Sequence, residues 1–513
     1  MTIADSAPPR ILPLAEAPVG EHDRRLLETV HPPSWSNPAP KSSYHLVVLG
    51  AGTAGLVTAA IGAALGARVA LVERGLMGGD CLNVGCVPSK ALIRAARGWK
   101  AAAEAAERFG GPSIAGDGDF AAAMERMRRI RADLSPVDGA SRFREELGVD
   151  VFLGEGRFVS GDALEVGGAR LRFRRAVVAT GGRPAVPRID GLAEAGYLTN
   201  ETVFSLTERP EHLVVIGGGP IGCELAQAFV RFGSRVTVLD DKDQVLPHDD
   251  PDAAAIVADA LRREGVEIVL GAKVERVTRD GATVTVRWTR GGTAASTEAS
   301  HLLIAAGRAP NVEDIGLEAA GVEFGEHGVT VDEHMRTTSA RIYAIGDVAS
   351  KYRFTHAADA QARMVVRNAL FFGRGKASDL VIPWCTYTSP EVAHVGITAG
   401  EAKEQGAETI TIPMREVDRA RLDGEEDGFL RVHLKAGTDR ILGATLVSAH
   451  AGDLISQITQ AMTAGIGLGK VGQTIFPYPT QAEVIRKAAD AWSRTRLTPA
   501  ARKAFRLFFR ALG

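Results

Sequence analysis

The chain of 513 residues has room for two to four domains of ordinary size. Its 60 Lys and Arg against 62 Asp and Glu leave a formal charge of −2, which excludes polyanion binding by bulk charge. An apolar share of 45% with 24% charged residues excludes general disorder, and four cysteines exclude a disulfide-stapled secreted scaffold.

Residues 1–43 hold eight of the 24 prolines (Pro8, Pro9, Pro13, Pro18, Pro32, Pro33, Pro38 and Pro40), the composition of an extension that wraps a surface rather than building a core. Within it Glu21–Val30 is predicted as one short helix, with Trp35 anchoring the segment to the body. Met1–Arg10 carries Asp5 and no apolar run, so no secretory signal is expected. The 22 residues Leu46–Ala67 carry no charge and are long enough to cross a bilayer. Their internal order argues for a different element. Leu46-Val47-Val48-Leu49 reads as a strand buried on both faces. Gly50, Gly52 and Gly55 then form a turn, an alanine-rich helix runs to Gly66, and Val69–Val72 is the next strand. With no other long apolar segment, a cytoplasmic protein is expected.

Two helical stretches follow, Ser89–Phe109 and Phe120–Leu147, the second with Met124, Met127, Ile130 and Leu134 at helical spacing. Strands and turns alternate over Val149–Leu171, and Ala176–Thr180 is a further strand. From Leu213 the first pattern repeats: Gly217, Gly219 and Gly222 keep the spacing of Gly50, Gly52 and Gly55. An acid ends the next strand in both copies, Glu73 and Asp240, each 21 residues after the middle glycine. A single glycine turn is a weak signal, but strand, turn, helix and distant acid together predict a dinucleotide site twice. The helix N-termini would face the phosphates, and Glu73 and Asp240 the ribose hydroxyls. A carboxylate at 240 repels a 2′-phosphate, which favours NADH over NADPH, although Lys242 is close.

Between the units lies Gly78-Gly79-Asp80-Cys81-Leu82-Asn83-Val84-Gly85-Cys86-Val87-Pro88-Ser89-Lys90. In a regular helix, residues five apart have Cα atoms about 8–9 Å apart, beyond the roughly 7 Å a disulfide spans. Cys81 and Cys86 are therefore two free thiols, half of a zinc site, or a bridge across a distorted first turn, for which Gly85 and Pro88 give licence. No second cysteine pair completes a zinc site, and no metal is expected. Cys223 and Cys385 each stand alone and read as small buried apolar residues.

Over Tyr44–Asp490 the chain resembles the flavoprotein pyridine nucleotide-disulfide oxidoreductases, the group of glutathione reductase, dihydrolipoamide dehydrogenase and mercuric reductase. The resemblance rests on both glycine turns, on Cys81–Lys90, on Ala179-Thr180-Gly181-Gly182-Arg183-Pro184, on Ala306-Gly307-Arg308-Ala309-Pro310-Asn311 and on Tyr343-Ala344-Ile345-Gly346-Asp347. It implies an α/β protein with two Rossmann-like dinucleotide-binding domains and an α+β C-terminal dimerisation domain. The implied segments are a proline-rich extension (1–43), an FAD-binding domain (44–188 and 312–378), an NAD(P)-binding domain (189–311), an interface domain (379–490) and a basic amphipathic tail (491–513). FAD would use the first unit with Thr180, Gly181 and Asp347, the last at the ribityl chain. NADH or NADPH would use the second with Gly307. Lys90 and Glu224 match the family's ion pair near the flavin, and Phe354-Thr355-His356-Ala357 would open a helix whose positive end supports reduced flavin. The implied relay passes electrons from NAD(P)H through FAD to a Cys81–Cys86 disulfide, then from Cys81 to a small-molecule acceptor. The expected assembly is a homodimer whose active site the partner chain completes, with no nucleic acid.

One position departs from the family. Its His-Pro-Thr segment, with a Glu five residues after the His, reads Tyr478-Pro479-Thr480 with Glu483 here. A phenol titrates near 10, unsuited to base work at neutral pH, which disfavours lipoamide and glutathione as substrates. Mercuric reductases resemble the chain in having tyrosine there, but no cysteine follows Cys385, so the terminal metal-delivering pair is missing. The acceptor is thus expected to be an oxidised thiol, a metal or a reactive sulfur species. A reading from another class is a flavin redox sensor that docks to a membrane or protein partner without turnover.

The tail Arg494–Gly513 has six basic residues and no acid, with Phe505, Phe508, Phe509 and Leu512 on one helical face and Arg502, Arg506 and Arg510 on another. Packing on the chain itself or its dimer mate is expected over contact with a membrane surface.

Overall fold

The structure, a computed structural model, describes residues 20–513. Pro8, Pro9, Pro13 and Pro18 of the extension lie outside the described residues. Contacts group the described residues into two units: those up to Asp243 with Glu264–Leu380, and Gln244–Arg263 with Val381–Gly513.

The first unit holds both nucleotide sheets. In one, parallel strands Asp150–Leu153, Val69–Glu73, Tyr44–Leu49, Ala169–Val178 and Ile342–Ala344 lie side by side, and Gly156–Ser160 with Ala163–Val166 extends the sheet antiparallel. Along Tyr44–Leu49, Leu46 and Val48 enter the core on one face while Tyr44, Val47 and Leu49 enter the core on the other. Burial on both faces is why this strand is an unbroken apolar run. The helix after it, Thr53–Ala64, has twelve residues, and no helix among the described residues is long and apolar enough to cross a membrane.

The second sheet is fully parallel, in the order Val266–Leu270, Arg235–Asp240, His212–Ile216, His301–Ile304, and a three-stranded antiparallel sheet fills the crossover before its last strand. In the second unit five antiparallel strands form one sheet, led by Pro383–Thr386 and Glu391–Gly396. The helix Pro251–Arg263 lies in sequence within 189–311 yet packs in this second unit. Arg431 pairs there with Asp250 at 3.3 Å and with Asp252, and the Thr445 hydroxyl donates to Asp250 at 2.9 Å.

Two sequence readings change. The stretch 120–147 is not one helix: Phe120–Leu134 ends at the Ser135-Pro136 turn, and Ala140–Glu145 restarts after Gly139. On the first piece Met124 and Met127 are buried as the spacing predicts, but Leu134 is exposed, and Arg128 and Arg131 are buried beside the methionines. The reason is a charged partner. Helix Gly20–Val30, in the segment read as wrapping a surface, buries Asp23 between these arginines and sends Leu26 and Val30 into the core. Trp35 donates to the Val151 carbonyl at 3.3 Å, under the Arg144 guanidinium.

Candidate active site

The two glycine turns have one geometry. Gly52 and Gly219 cap their helices at φ −75°, ψ −175° and φ −73°, ψ −176°. Gly50 and Gly217 hold φ of 104° and 113°, which favours glycine, and a Cβ at either would strike the carbonyl oxygen of Ala179 or Ala305 at 2.3 and 2.4 Å. A Cβ on Gly55 would sit 1.8 Å from the Gly50 oxygen, and one on Gly222 2.0 Å from the Gly217 oxygen. The distant acids brace the turns identically. Glu73 accepts from the N–H groups of Ala51 and Gly75 at 2.6 and 2.7 Å, and Asp240 from those of Gly218 and, at 2.8 Å, Lys242. Burial pushes the Glu73 carboxyl above its ordinary range, against those two N–H groups. A bare backbone at a helix N-terminus, with a carboxylate at the strand end, fits a dinucleotide at both places.

Past Glu73 the chain enters the cysteine segment. Gly78, at φ 91°, caps a five-residue helix, Gly79–Asn83, that carries Cys81. The helix breaks at Val84-Gly85, and Cys86 opens the 24-residue helix Cys86–Phe109. The distortion read from the spacing is thus a complete break. It requires Gly85, because a Cβ there would lie 2.7 Å from the Asp80 carbonyl oxygen. Both cysteines are thiols here, hydrogen bonded to each other. Cys86 is drawn down to about 6, first by the hydrogen bond from Cys81, then by that of Thr355, 3.3 Å away, and by the Lys90 ammonium. Cys81 is pushed up by the same hydrogen bond and by burial, so it keeps the shared proton. One turn on, Lys90 donates to the buried Glu224 at 2.8 Å, joining the cysteine helix to Pro220–Arg231 of the second nucleotide unit.

Some of the residues brought to the site, Arg131, Asn200 and Glu201 among them, carry no motif of their own. The carbonyls stranded at the helix break are satisfied by side chains: Arg131 donates to Asn83 at 2.7 Å and Asn200 to Val84 at 3.3 Å. Arg131 in turn pairs with Asp23 at 2.6 Å, with all three of Asp23, Asn83 and Arg131 buried. Asp80, next to Cys81, pairs with Arg308, which also reaches Asp347 at 3.2 Å and the Gly182 carbonyl at 3.0 Å. Burial raises the Asp347 carboxyl, and Arg308 opposes that rise. Glu201 is pushed up to about 7, first by burial and then by the Asp80 charge. Gly182–Pro184 and Arg308–Pro310 form a two-stranded ladder, and Thr180 and Asn311 exchange hydrogen bonds of 2.7 and 2.9 Å across it. Gly181 and Gly307, at φ 67° and 121°, lie at its two ends. Thr355 opens the helix Thr355–Phe371, and the exposed His356 stacks on Phe354.

Tyr478 and Glu483 lie in the second unit. Tyr478 is 71% exposed and donates to Asp418 at 3.1 Å, which raises its phenol further above neutrality. Glu483 is buried at the start of Glu483–Thr495 and pairs with Arg486 at 3.0 Å. Cys223 is fully buried against the Gly218 carbonyl, whereas Cys385 is only partly buried. No group of three or more metal-ligating side chains occurs among the described residues.

Fold and site define a flavoprotein of the disulfide-reducing kind. Residues 44–362 match the pyridine nucleotide-disulphide oxidoreductases and 382–489 their dimerisation domain, and the chain belongs to that family. It is 36% identical to a mercuric reductase of Streptomyces lividans over 88% of this chain and 97% of that one. Identity to a dihydrolipoyl dehydrogenase of Bacillus subtilis (strain 168) is 32%, over 88% and 98%. A solved structure, the Cu(II) complex of the HOCl-induced flavoprotein disulfide reductase RclA from Escherichia coli, has 30% identity and a TM-score of 0.79, over 88% of this chain and all of that one. The protein is an FAD-dependent disulfide oxidoreductase of a family that uses NAD(P)H, and its dimerisation domain suggests a homodimer.

Proposed function

We propose that the protein carries electrons from NADH through FAD and the Cys81–Cys86 pair to a thiol-reactive acceptor, a soft metal ion or an oxidised sulfur compound. The observation that carries this reading is the thiol pair itself, one member drawn down to about 6 and the other holding the proton. Gly50, Gly52, Gly55, Glu73, Thr180, Gly181, Asp347 and His356 serve FAD, which when bound supplies the two-electron link between nicotinamide and disulfide. Gly217, Gly219, Gly222, Asp240 and Gly307 serve the nicotinamide nucleotide. The Asp240 carboxylate supports NADH, and Lys242 does not cancel it because its ammonium lies 3.5 Å from Asp241.

Cys86 holds the thiolate at neutral pH beside Thr355 and Lys90, and Glu224 fixes Lys90 in place. Cys81 attacks the acceptor after passing its proton on. Thiol and thiolate close to a disulfide, so the acceptor gains two electrons and the site releases the one proton that Cys81 held. Tyr478 donates a hydrogen bond and does not act as a base, which supports an acceptor that needs none, and Glu483 holds the segment that presents it. In the homodimer both face the cysteine pair of the other protomer. Mercuric reductases among the relatives and a neighbour solved with Cu(II) support a soft-metal or oxidised-sulfur acceptor.

The test is anaerobic reduction by NADH followed by mercuric ion, hypothiocyanous acid, small disulfides and lipoamide. Cys81→Ser and Cys86→Ser are expected to abolish turnover while leaving flavin bound. Alkylation of Cys86 in the reduced enzyme is expected to be flat above about pH 6 and to fall about tenfold per pH unit below it, because only the thiolate reacts. Lipoamide as the best acceptor would refute the reading of Tyr478, and full activity in both serine variants would refute the relay.

A further inference from the structure

The tail helix Pro499–Leu512 packs on nothing among the described residues. None of its residues is buried, and Phe505, Phe508, Phe509 and Leu512 are 51%, 57%, 66% and 68% exposed. Of the two coverings expected for this face, its own chain and the dimer mate, the first is not observed. The contrast with the preceding helix is direct: Glu483–Thr495 buries Val484, Ile485, Ala488 and Ala489. The tail is nonetheless built as a helix. Thr498 caps it by accepting from the Ala501 N–H at 3.2 Å, and Pro499 takes the first position.

Its charges are sorted. At about 100° per residue, Arg502, Lys503, Arg506 and Arg510 fall in one sector about 100° wide, and every other side chain is apolar, over an arc of about 200°. No acid follows Asp490.

We propose that this helix lies in the surface of an anionic lipid bilayer, its phenylalanine arc among the acyl chains and its four cations at the headgroups. Charge complementarity selects this occupant. A protein surface would have to supply an apolar trough flanked by acids matched to this one helix, whereas an anionic bilayer offers both everywhere. The helix also begins beyond residue 489, where the matched dimerisation domain ends. An enzyme held this way draws its acceptor from the membrane boundary.

The test uses the full-length flavoenzyme with vesicles of phosphatidylglycerol and phosphatidylcholine in equal parts, against vesicles of phosphatidylcholine alone. Sedimentation is expected to show at least tenfold tighter binding to the anionic vesicles, weakened by high salt. Deletion of residues 498–513 and the double change Phe508→Glu with Phe509→Glu are each expected to abolish it. The exposure of these residues leaves the fold and the NADH-dependent activity unchanged, which thermal melting and turnover would verify. Equal binding to both vesicle types, or binding that survives the deletion, would overturn the proposal. A tail deletion that weakens the dimer tenfold, with no vesicle binding by the intact enzyme, would overturn it in favour of a second copy of the chain.

Discussion

The two nucleotide turns are the same object built twice, to within a few degrees at the capping glycine and 0.2 Å at the closest approaches. What differs is what stands over them. Gly52 is roofed by Gly79: a Cβ on Gly52 would meet the Gly79 Cα at 3.8 Å, and one on Gly79 would lie 2.7 Å from the Gly52 Cα. A Cβ on Gly219 would meet nothing within 4 Å among the described residues outside its own helix and chain neighbours. The segment that roofs the first turn is the segment that carries the cysteines. A resident cofactor is served by a closed turn and a nucleotide that exchanges each cycle by an open one. The chemistry therefore resides not in the cradle but in the dozen residues after its acid.

The sharpest way to break this comparison is to add one methyl group to the third glycine of each turn. Both would drive a Cβ into a backbone oxygen, at 1.8 Å for Gly55→Ala and 2.0 Å for Gly222→Ala. Gly55→Ala is expected to give protein without flavin, read from the visible spectrum. Gly222→Ala is expected to keep its flavin, still reducible by dithionite, but to lose about a hundredfold in kcat/KM for NADH, about 2.7 kcal/mol. If Gly222→Ala also loses flavin, the two turns are not independent.

The cysteine segment depends on a clamp from outside the matched family region, since helix Gly20–Val30 precedes residue 44. Arg131 is buried between Asp23 and the Asn83 carbonyl. Replacing it by methionine takes from the buried Asp23 its closer cation and leaves it Arg128 at 4.0 Å, a loss of up to about 3–5 kcal/mol. Urea unfolding measures that loss. Because the Asn83 carbonyl is released at the helix break, the pH midpoint of Cys86 alkylation is also expected to move up, which a purely structural defect elsewhere would not produce. The corresponding loop after Asp240 has no cysteine to position, and substitutions there are expected to leave that midpoint unchanged.

Arg131 also marks where sequence reasoning stops. The glycine turns, their acids and the Cys81–Lys90 segment were legible because each is a local pattern whose spacing follows from backbone geometry. The dimerisation domain was legible only through family resemblance. The roles of Arg131, Asp23 and Asn200 were not legible, nor was the pairing of Asp80 with Arg308 although both stand in the motifs named above, since each acts through a partner more than a hundred residues away and shows no periodicity. The apolar spacing of Met124, Met127, Ile130 and Leu134 pointed to a face on which both methionines are buried and Leu134 is exposed, and it gave no sign that Arg128 and Arg131 are buried beside it. A buried aspartate from the proline-rich segment outweighs the pattern, and a proline count does not reveal it. Glu73 and Asp240 were read as ribose ligands, and the structure adds that both first hold their own turns together. The tail helix was visible as an amphipathic pattern, but no pattern says what covers it.

The smallest effect sharpens the comparison most. Asp240→Asn keeps an oxygen able to accept from the Gly218 N–H while removing the charge that a 2′-phosphate would meet. The ratio of kcat/KM for NADH to that for NADPH is expected to fall about tenfold, or about 1.4 kcal/mol, mainly through a lower KM for NADPH. The matched change in the first turn, Glu73→Gln, keeps an acceptor for the Ala51 N–H and is expected to leave that ratio untouched while loosening retained flavin, because the proposed reading gives the first turn to FAD. Steady-state kinetics with both nucleotides, run beside flavin release during dialysis, separates the two. A ratio that moves equally in both variants, or a wild-type enzyme that prefers NADPH, would show that the acids do not divide the two nucleotides between them.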